Sequence, residues 1–342
     1  MGRFVAGDAP ELDSRISDAL AEIGREVEAM RIPRLAGVVL GGGYGRGEGG
    51  ARGMSEARVG ETPTPTLSND LDFFAIAEEG ASDADAVAIA AALEPVSRKW
   101  TEKLGADVDF TARTPWRLRH DQERIMVQEL VRGYVDVAGK KGDELFSGIE
   151  RRPAEAIPWM EAARLLMNRG MGLLFAMVKN KKSWSPELEF EKLELCKNSD
   201  FVNRNINKCI LGVGDAFLVS RGLYRWRAEE RVAALAEQGD DGLYARAVEW
   251  KFRPGDEPVC DWEKAREIWL DGHMEVIAAV GDGDYGRTLR NAARWIVRRH
   301  TLGELGTFGQ NPVVRVLDAV ARHVREKCPI APSLRRDWEI FN

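Results

Sequence analysis

Cysteine is scarce in this chain: four residues among 342, Cys196, Cys209, Cys260 and Cys328, with no C-x-x-C pair. That spacing excludes a cysteine zinc site and a disulfide framework, so reduced, buried thiols are expected. No stretch approaches the ~20 apolar residues that span a bilayer, and Met1 to Pro10 lacks a basic region followed by an apolar one. A cytoplasmic protein without a membrane partner is the expectation. Positive charge is not in excess either. The formal net charge is −6, which argues against coating nucleic acid through bulk charge and leaves partners to be argued from local sites.

What is present suits a globular protein: 44% hydrophobic and 30% charged residues, enough to bury a core in two domains. Apolar residues at Ile16, Leu20, Ile23 and Val27 predict a helix over Leu12 to Met30, closed by Pro33. Leu35 to Leu40 (LAGVVL) reads as a buried strand feeding the turn Gly41-Gly42-Gly43, and Leu71 to Ile76 as a second strand. Ser82 to Leu104 reads as a helix kinked or broken at Pro95 and ended by Gly105, and Ala106 to Ala112 alternates as a third strand. From about Ile157 the pattern turns helical. Its candidates are Trp159 to Lys179, Asp200 to Ser220, Arg225 to Glu237, Asp261 to Val280, Asp284 to His300 and Pro312 to Lys327. The fold class expected is α+β, a small mixed-sheet domain over 1–150 followed by an all-helical domain over 151–342.

Asp70 and Asp72 lie two apart at the start of the second strand, so their side chains leave one face of the sheet while Leu71 and Phe73 take the other. Carboxylates that close raise each other's pKa unless a cation sits between them, which is how a divalent-metal site is built from few residues. Asp107 and Asp109 repeat the spacing on the third strand. If the two strands are neighbours, four carboxylates face one cleft, where one or two Mg²⁺ could be held with a substrate phosphate completing the shell. A lone D-x-D pair more often simply faces water. Two pairs beside Gly41 to Gly47 (GGGYGRG) point to phosphate chemistry, because a glycine-rich turn lets main-chain N–H groups approach an anion. No G-K-[ST] follows, so the loop is not a P-loop, and the next residues open no clear helix, so it is not the dinucleotide fingerprint.

The string Gly42-Gly43-Tyr44-Gly45-Arg46-Gly47-Glu48, followed by Ser68-Asn69-Asp70-Leu71-Asp72, resembles the GGYGRGE...SD-x-D signature of bacterial PII uridylyltransferases, within the DNA polymerase β-like nucleotidyltransferase superfamily. Asn69 lengthens the Ser-to-Asp step by one residue. The resemblance covers Leu35 to Phe146, through Asp107 to Thr114 (DVDFTART) and a Gly-Asp-x-Leu-Phe ending. It implies a small mixed sheet with helices on one side, and Asp70 and Asp72 as ligands of two Mg²⁺, with Mn²⁺ an alternative. Asp107 or Asp109 would supply a third acidic ligand and stand nearest the acceptor. Gly42, Gly43, Tyr44 and Arg46 would hold the triphosphate of an NTP such as ATP. The implied reaction is in-line attack of an acceptor oxygen on the α-phosphorus, with pyrophosphate leaving.

The resemblance leaves the acceptor open between a protein hydroxyl, a tRNA end and a small hydroxylated molecule, and says nothing of oligomeric state. Gly49 to Leu67 is inserted relative to those enzymes. Their hydrolase and regulatory domains are not expected here, since His120-Asp121 is the one HD dipeptide among four histidines, and uridylylation of PII is not expected either. The alternative from another class is a non-catalytic nucleotide-binding module on the same fold, regulatory or part of a toxin-antitoxin or defence pair.

Lys208 resembles by position the helical lysine with which many superfamily members contact β- and γ-phosphates, in competition with Lys179, Lys181, Lys182 and with an ordinary solvated role. Asn168 and Arg169, among apolar neighbours, could meet a base or ribose, or make a helix-helix hydrogen bond. Arg290, Arg294, Arg298 and Arg299 around Trp295 make a basic stripe that could meet RNA or an acidic partner, or simply be solvated. The tryptophans of the helical half read as packing residues.

Overall fold

A computed structural model describes residues 2–7, 9–53, 65–177, 195–280 and 312–341. The helix expected over Asp284 to His300 with its arginine stripe, Lys179, Lys181 and Lys182, and positions 54–64 of the inserted segment lie outside the described residues. The chain divides into two compact units, Met1–Pro153 with Lys251–Gly255, and Ala154–Trp250 with Asp256–Asn342.

The first unit runs α1 (Pro10–Met30), β1 (Leu35–Leu40), α2 (Gly42–Gly45), β2 (Ala51–Arg52), β3 (Thr66–Leu67), β4 (Leu71–Ala77), α3 (Asp83–Leu104), β5 (Val108–Arg113), α4 (Pro115–His120), α5 (Ile125–Leu130), β6 (Val135–Gly139) and α6 (Gly142–Leu145). Four of the strands form one mixed sheet in the order β5-β4-β1-β6. β4 and β5 are parallel, and β1 is antiparallel to both its neighbours. The fold is α+β, as the sequence predicts.

Alternation along the strands sorts their apolar side chains onto two faces. Val38, Leu40, Leu71, Phe73 and Val108 face α1 and α3, where Ile16, Ile23, Ile89 and Trp100 close one core. Val39, Phe74 and Ile76 face the other way, against Leu118, Val127, Leu130 and Phe146 from the short helices and the turn after α6. This corrects the expectation of helices on one side: Phe74 and Ile76 are as apolar as Phe73 and need cover of their own.

The helix ends carry their own signals. Ser82 and Asp85 make a reciprocal capping box at the start of α3, and Gly105 ends it in the left-handed conformation. α3 continues through Pro95 rather than breaking there. Pro95 is exposed, so the carbonyl that loses its donor one turn back can turn to water. Thr114, the last residue of the DVDFTART string, caps α4 by accepting from the Arg117 N–H at 3.1 Å.

The described part of the second unit holds a 3₁₀ turn (Ala154–Ala156) and the helices α7 (Met160–Ala176), α8 (Ser199–Ser220), α9 (Ala228–Glu237), α10 (Leu243–Phe252, whose last two residues count with the first unit), α11 (Trp262–Val280), α12 (Pro312–Glu326) and α13 (Pro332–Phe341). Two of its buried tryptophans pack with their indole N–H groups satisfied: Trp269 donates to the Leu166 carbonyl at 2.9 Å and Trp262 to that of Leu173 at 3.2 Å. Among the described residues, no helix is long and apolar enough to cross a membrane.

Candidate active site

Register decides where the carboxylates go. β4 and β5 pair in parallel with Leu71 opposite Val108 and Asp72 opposite Asp109, and the Leu71 N–H donates to the Asp107 carbonyl at 2.8 Å. Leu71 and Val108 are fully buried, so the acidic residues flanking them leave the sheet on its other face, at the strand starts. Asp72, Asp107 and Asp109 are exposed there and Asp70 is half-buried. Burial, and then the charges of Asp70 and Asp107, push the Asp109 carboxyl above its ordinary value.

The glycine loop is fastened to the same place. The Gly41 N–H donates to the Asp72 carbonyl at 2.8 Å, and Gly42 adopts a left-handed φ of 60°. A Cβ at Gly42 would lie 2.2 Å from Asp72 Oδ2, so any other residue would push that carboxylate aside. Gly42 to Gly45 form the one-turn helix α2, where the sequence suggested no helix.

Tyr44 is buried, with 1% exposure. Its hydroxyl donates to the Gly50 carbonyl at 2.6 Å and accepts from the Ser68 N–H at 3.1 Å and the Asn69 N–H at 3.4 Å. Arg46 is held by carboxylates, at 3.0 Å from Glu129 and 3.5 Å from Glu48, and Glu48 lies 3.7 Å from Lys251. Glu129 and Lys251 were not foreseen. Glu48 stands in the quoted motif, but no sequence signal joins Lys251 to a loop two hundred positions earlier.

The structure thus brings together Gly42, Gly43, Tyr44, Arg46, Asp70, Asp72, Asp107 and Asp109. Lys208 is not among the residues that the first unit assembles; it is exposed on α8 of the second. Asn168 accepts from the Trp338 indole at 2.8 Å, a bond between α7 and α13. Arg169 lies across α8 at Gly212, whose Cβ would meet the Arg169 Cγ at 2.3 Å, and burial lowers its pKa.

Among the described residues, no three His, Cys, Asp or Glu side chains are gathered closely enough to hold a metal ion by themselves. The donors that strand register places on one face are all carboxylate oxygens. That chemistry fits Mg²⁺, which uses one or two carboxylates and fills its shell with water and substrate phosphates instead of a protein cage.

Neither a family model nor a curated protein matches the chain. Among solved structures, it is similar to spectinomycin adenyltransferase AAD(9) from Enterococcus faecialis with ATP and spectinomycin, at 14% identity and a TM-score of 0.41, over 77% of this chain and 98% of that one.

Proposed function

We propose that this protein is a divalent-metal-dependent nucleotidyltransferase of the DNA polymerase β-like kind, moving a nucleoside monophosphate from an NTP to an acceptor hydroxyl. The observation that carries the reading is the register of Asp72 with Asp109 across parallel strands, beside a glycine loop tied to the Asp72 carbonyl. Asp70 and Asp72, with Asp109 or Asp107, would hold Mg²⁺ or Mn²⁺, which when bound neutralises charge on the attacking and leaving oxygens. Gly42 and Gly43 line the space where a triphosphate would lie with little side-chain obstruction.

The acceptor oxygen forms a bond to the α-phosphorus, and the bond from the α-phosphorus to the bridging oxygen breaks. Pyrophosphate leaves with the electron pair. The acceptor's proton goes to whichever of Asp107 and Asp109 stands on the acceptor side. The acceptor belongs to one of three classes: a protein hydroxyl, a tRNA end or a small hydroxylated molecule. The test is transfer of label from α-labelled NTPs in a lysate with Mg²⁺, with protease and ribonuclease sensitivity sorting the acceptor. The Asp70→Asn, Asp72→Asn double variant should lose at least roughly 10²–10³-fold of that transfer, and transfer unaffected by the double change would overturn the reading.

Arg46, the cation of the loop, is held by Glu129 and Glu48, so contact with the triphosphate falls first to the main-chain N–H groups of the glycine loop.

A further inference from the structure

We propose that Tyr44 is a positioning residue for Asp70: its hydroxyl gathers the main chain just before β4 and so aims the first carboxylate of the pair. The inference rests on the metal-dependent reading above. Asp70 precedes β4 and lies outside the ladder that fixes Asp72, so regular strand bonding does not orient it. The flanking residues are instead tied one by one. The Ser68 and Asn69 N–H groups both donate to the Tyr44 hydroxyl, the Leu71 N–H donates to the Asp107 carbonyl, and the Asp72 carbonyl accepts from the Gly41 N–H. The Ser68 N–H also reaches the Gly50 carbonyl at 3.3 Å, and Thr66–Leu67 pairs with Ala51–Arg52, so removing the hydroxyl would release Asn69, the residue directly before Asp70.

The tyrosine itself has little freedom. Its third bond, to the Gly50 carbonyl, fills the hydroxyl's capacity of one donor and two acceptor positions. A Cβ at Gly49 would stand 2.0 Å from the ring, so the glycine lets the main chain close over it. Asp70 is near enough to add to the upward shift that burial gives the Tyr44 hydroxyl. Tyr44 therefore works from the interior rather than by touching nucleotide.

The experiment measures Mn²⁺ binding by electron paramagnetic resonance, with the metal alone and no nucleotide, on wild type, Tyr44→Phe and Asp70→Asn, each checked for its unfolding midpoint. The phenylalanine keeps the ring and deletes only the shared oxygen. Asp70→Asn should remove the binding, and Tyr44→Phe should weaken it about tenfold, the scale of one lost buried hydrogen bond. Tyr44→Phe at wild-type affinity, with Asp70→Asn defective, overturns the positioning role and spares the metal site. Asp70→Asn at wild-type affinity overturns the metal-dependent reading and this inference with it. Amide exchange on the wild type needs no variant to fold: Asn69 protected to the same degree as Leu71 supports the tie, and rapid exchange at Asn69 refutes it.

Discussion

Asp72 and Asp109 stand opposite one another on parallel neighbouring strands, and the Asp72 carbonyl is also the acceptor for the Gly41 N–H, 2.8 Å away. One residue therefore joins both halves of the candidate site, the acidic pairs and the glycine loop. Strand spacing holds the two residues roughly 5 Å apart at the backbone, so a shared cation would sit between strands β4 and β5.

The first prediction is that Mg²⁺ or Mn²⁺ stabilises the protein. At a hundred times the dissociation constant the gain should be about 2.7 kcal/mol, read as a rise in the unfolding midpoint of the first unit. The Asp70→Asn, Asp72→Asn double variant should show no rise, and an equal rise would place the metal elsewhere.

Without metal, burial and the charges of Asp70 and Asp107 make Asp109→Asn stabilising. Burial and the neighbouring acids raise the Asp109 pKa in the folded state above 3.8, so folding penalises its ionised form. That penalty is absent below the unfolded value, grows as pH rises towards the folded value, and is constant above it. The asparagine variant should therefore unfold at a higher temperature than wild type at neutral pH, the advantage should vanish below about pH 4, and added Mg²⁺ should reverse the order. A variant less stable at neutral pH without metal would contradict this.

Gly42→Ala should damage the site more than the fold. Its φ of 60° costs an L-residue about 1–2 kcal/mol, and the new Cβ would stand 2.2 Å from Asp72 Oδ2, so Asp72 must turn away. Metal affinity should fall with the stability, whereas Gly105→Ala, also at positive φ but with nothing within 4 Å of its Cβ, should lose stability alone. Equal metal affinity in the two variants would show that Gly42 does not set the Asp72 carboxylate.

Much of this was legible in local pattern. Leu35 to Leu40 is a strand with the expected bounds, and β4 and β5 differ from expectation by one residue or two at an end. Their parity alone put each acidic pair on one face. Less visible were elements whose stability is not local. β6 is five residues long and exists through pairing with β1. α4 and α5 are six residues each and cover Phe74 and Ile76, a need that appears only once the sheet is assembled. Tyr44 was legible as a motif letter but not as a buried hydroxyl, because its three partners lie six to twenty-five positions away.

Glu26 gives a second pH test, of opposite sign. It accepts from Lys99 at 2.8 Å and from the Trp100 indole at 3.1 Å, and these bonds, Lys99 foremost, hold its pKa below 4.5. A depressed carboxylate stabilises the fold above its unfolded pKa and loses that contribution as pH falls through the folded one. Glu26→Gln should cost roughly 0.2–1 kcal/mol at pH 7, the range for a partly exposed pair, and almost nothing in the most acidic conditions that leave the protein folded. A cost independent of pH would assign the effect to shape and not to charge.

The second unit offers the sharpest stability test, at Arg231. This arginine is buried, with 4% exposure. Its Nε stands 3.0 Å from both Asp215 Oδ1 and the Tyr244 hydroxyl, and its Nη1 donates to the Tyr224 hydroxyl and to the Arg225 and Trp226 carbonyls. The Tyr244 hydroxyl in turn donates to Asp215 at 2.6 Å. Deleting the cation leaves Asp215 with only the Tyr244 hydroxyl and the charge of Arg169 and removes the Nη1 bonds to two carbonyls, so Arg231→Met should cost about 3 kcal/mol, the low end for a broken buried pair. Part of that is the penalty of a less compensated carboxylate, not the net worth of the pair. Arg231→Met with Asp215→Leu should therefore lose markedly less than the sum of the two single changes, by roughly 1–3 kcal/mol of coupling in chemical denaturation. Strict additivity would mean that Arg231 holds α9 through its main-chain carbonyl contacts alone.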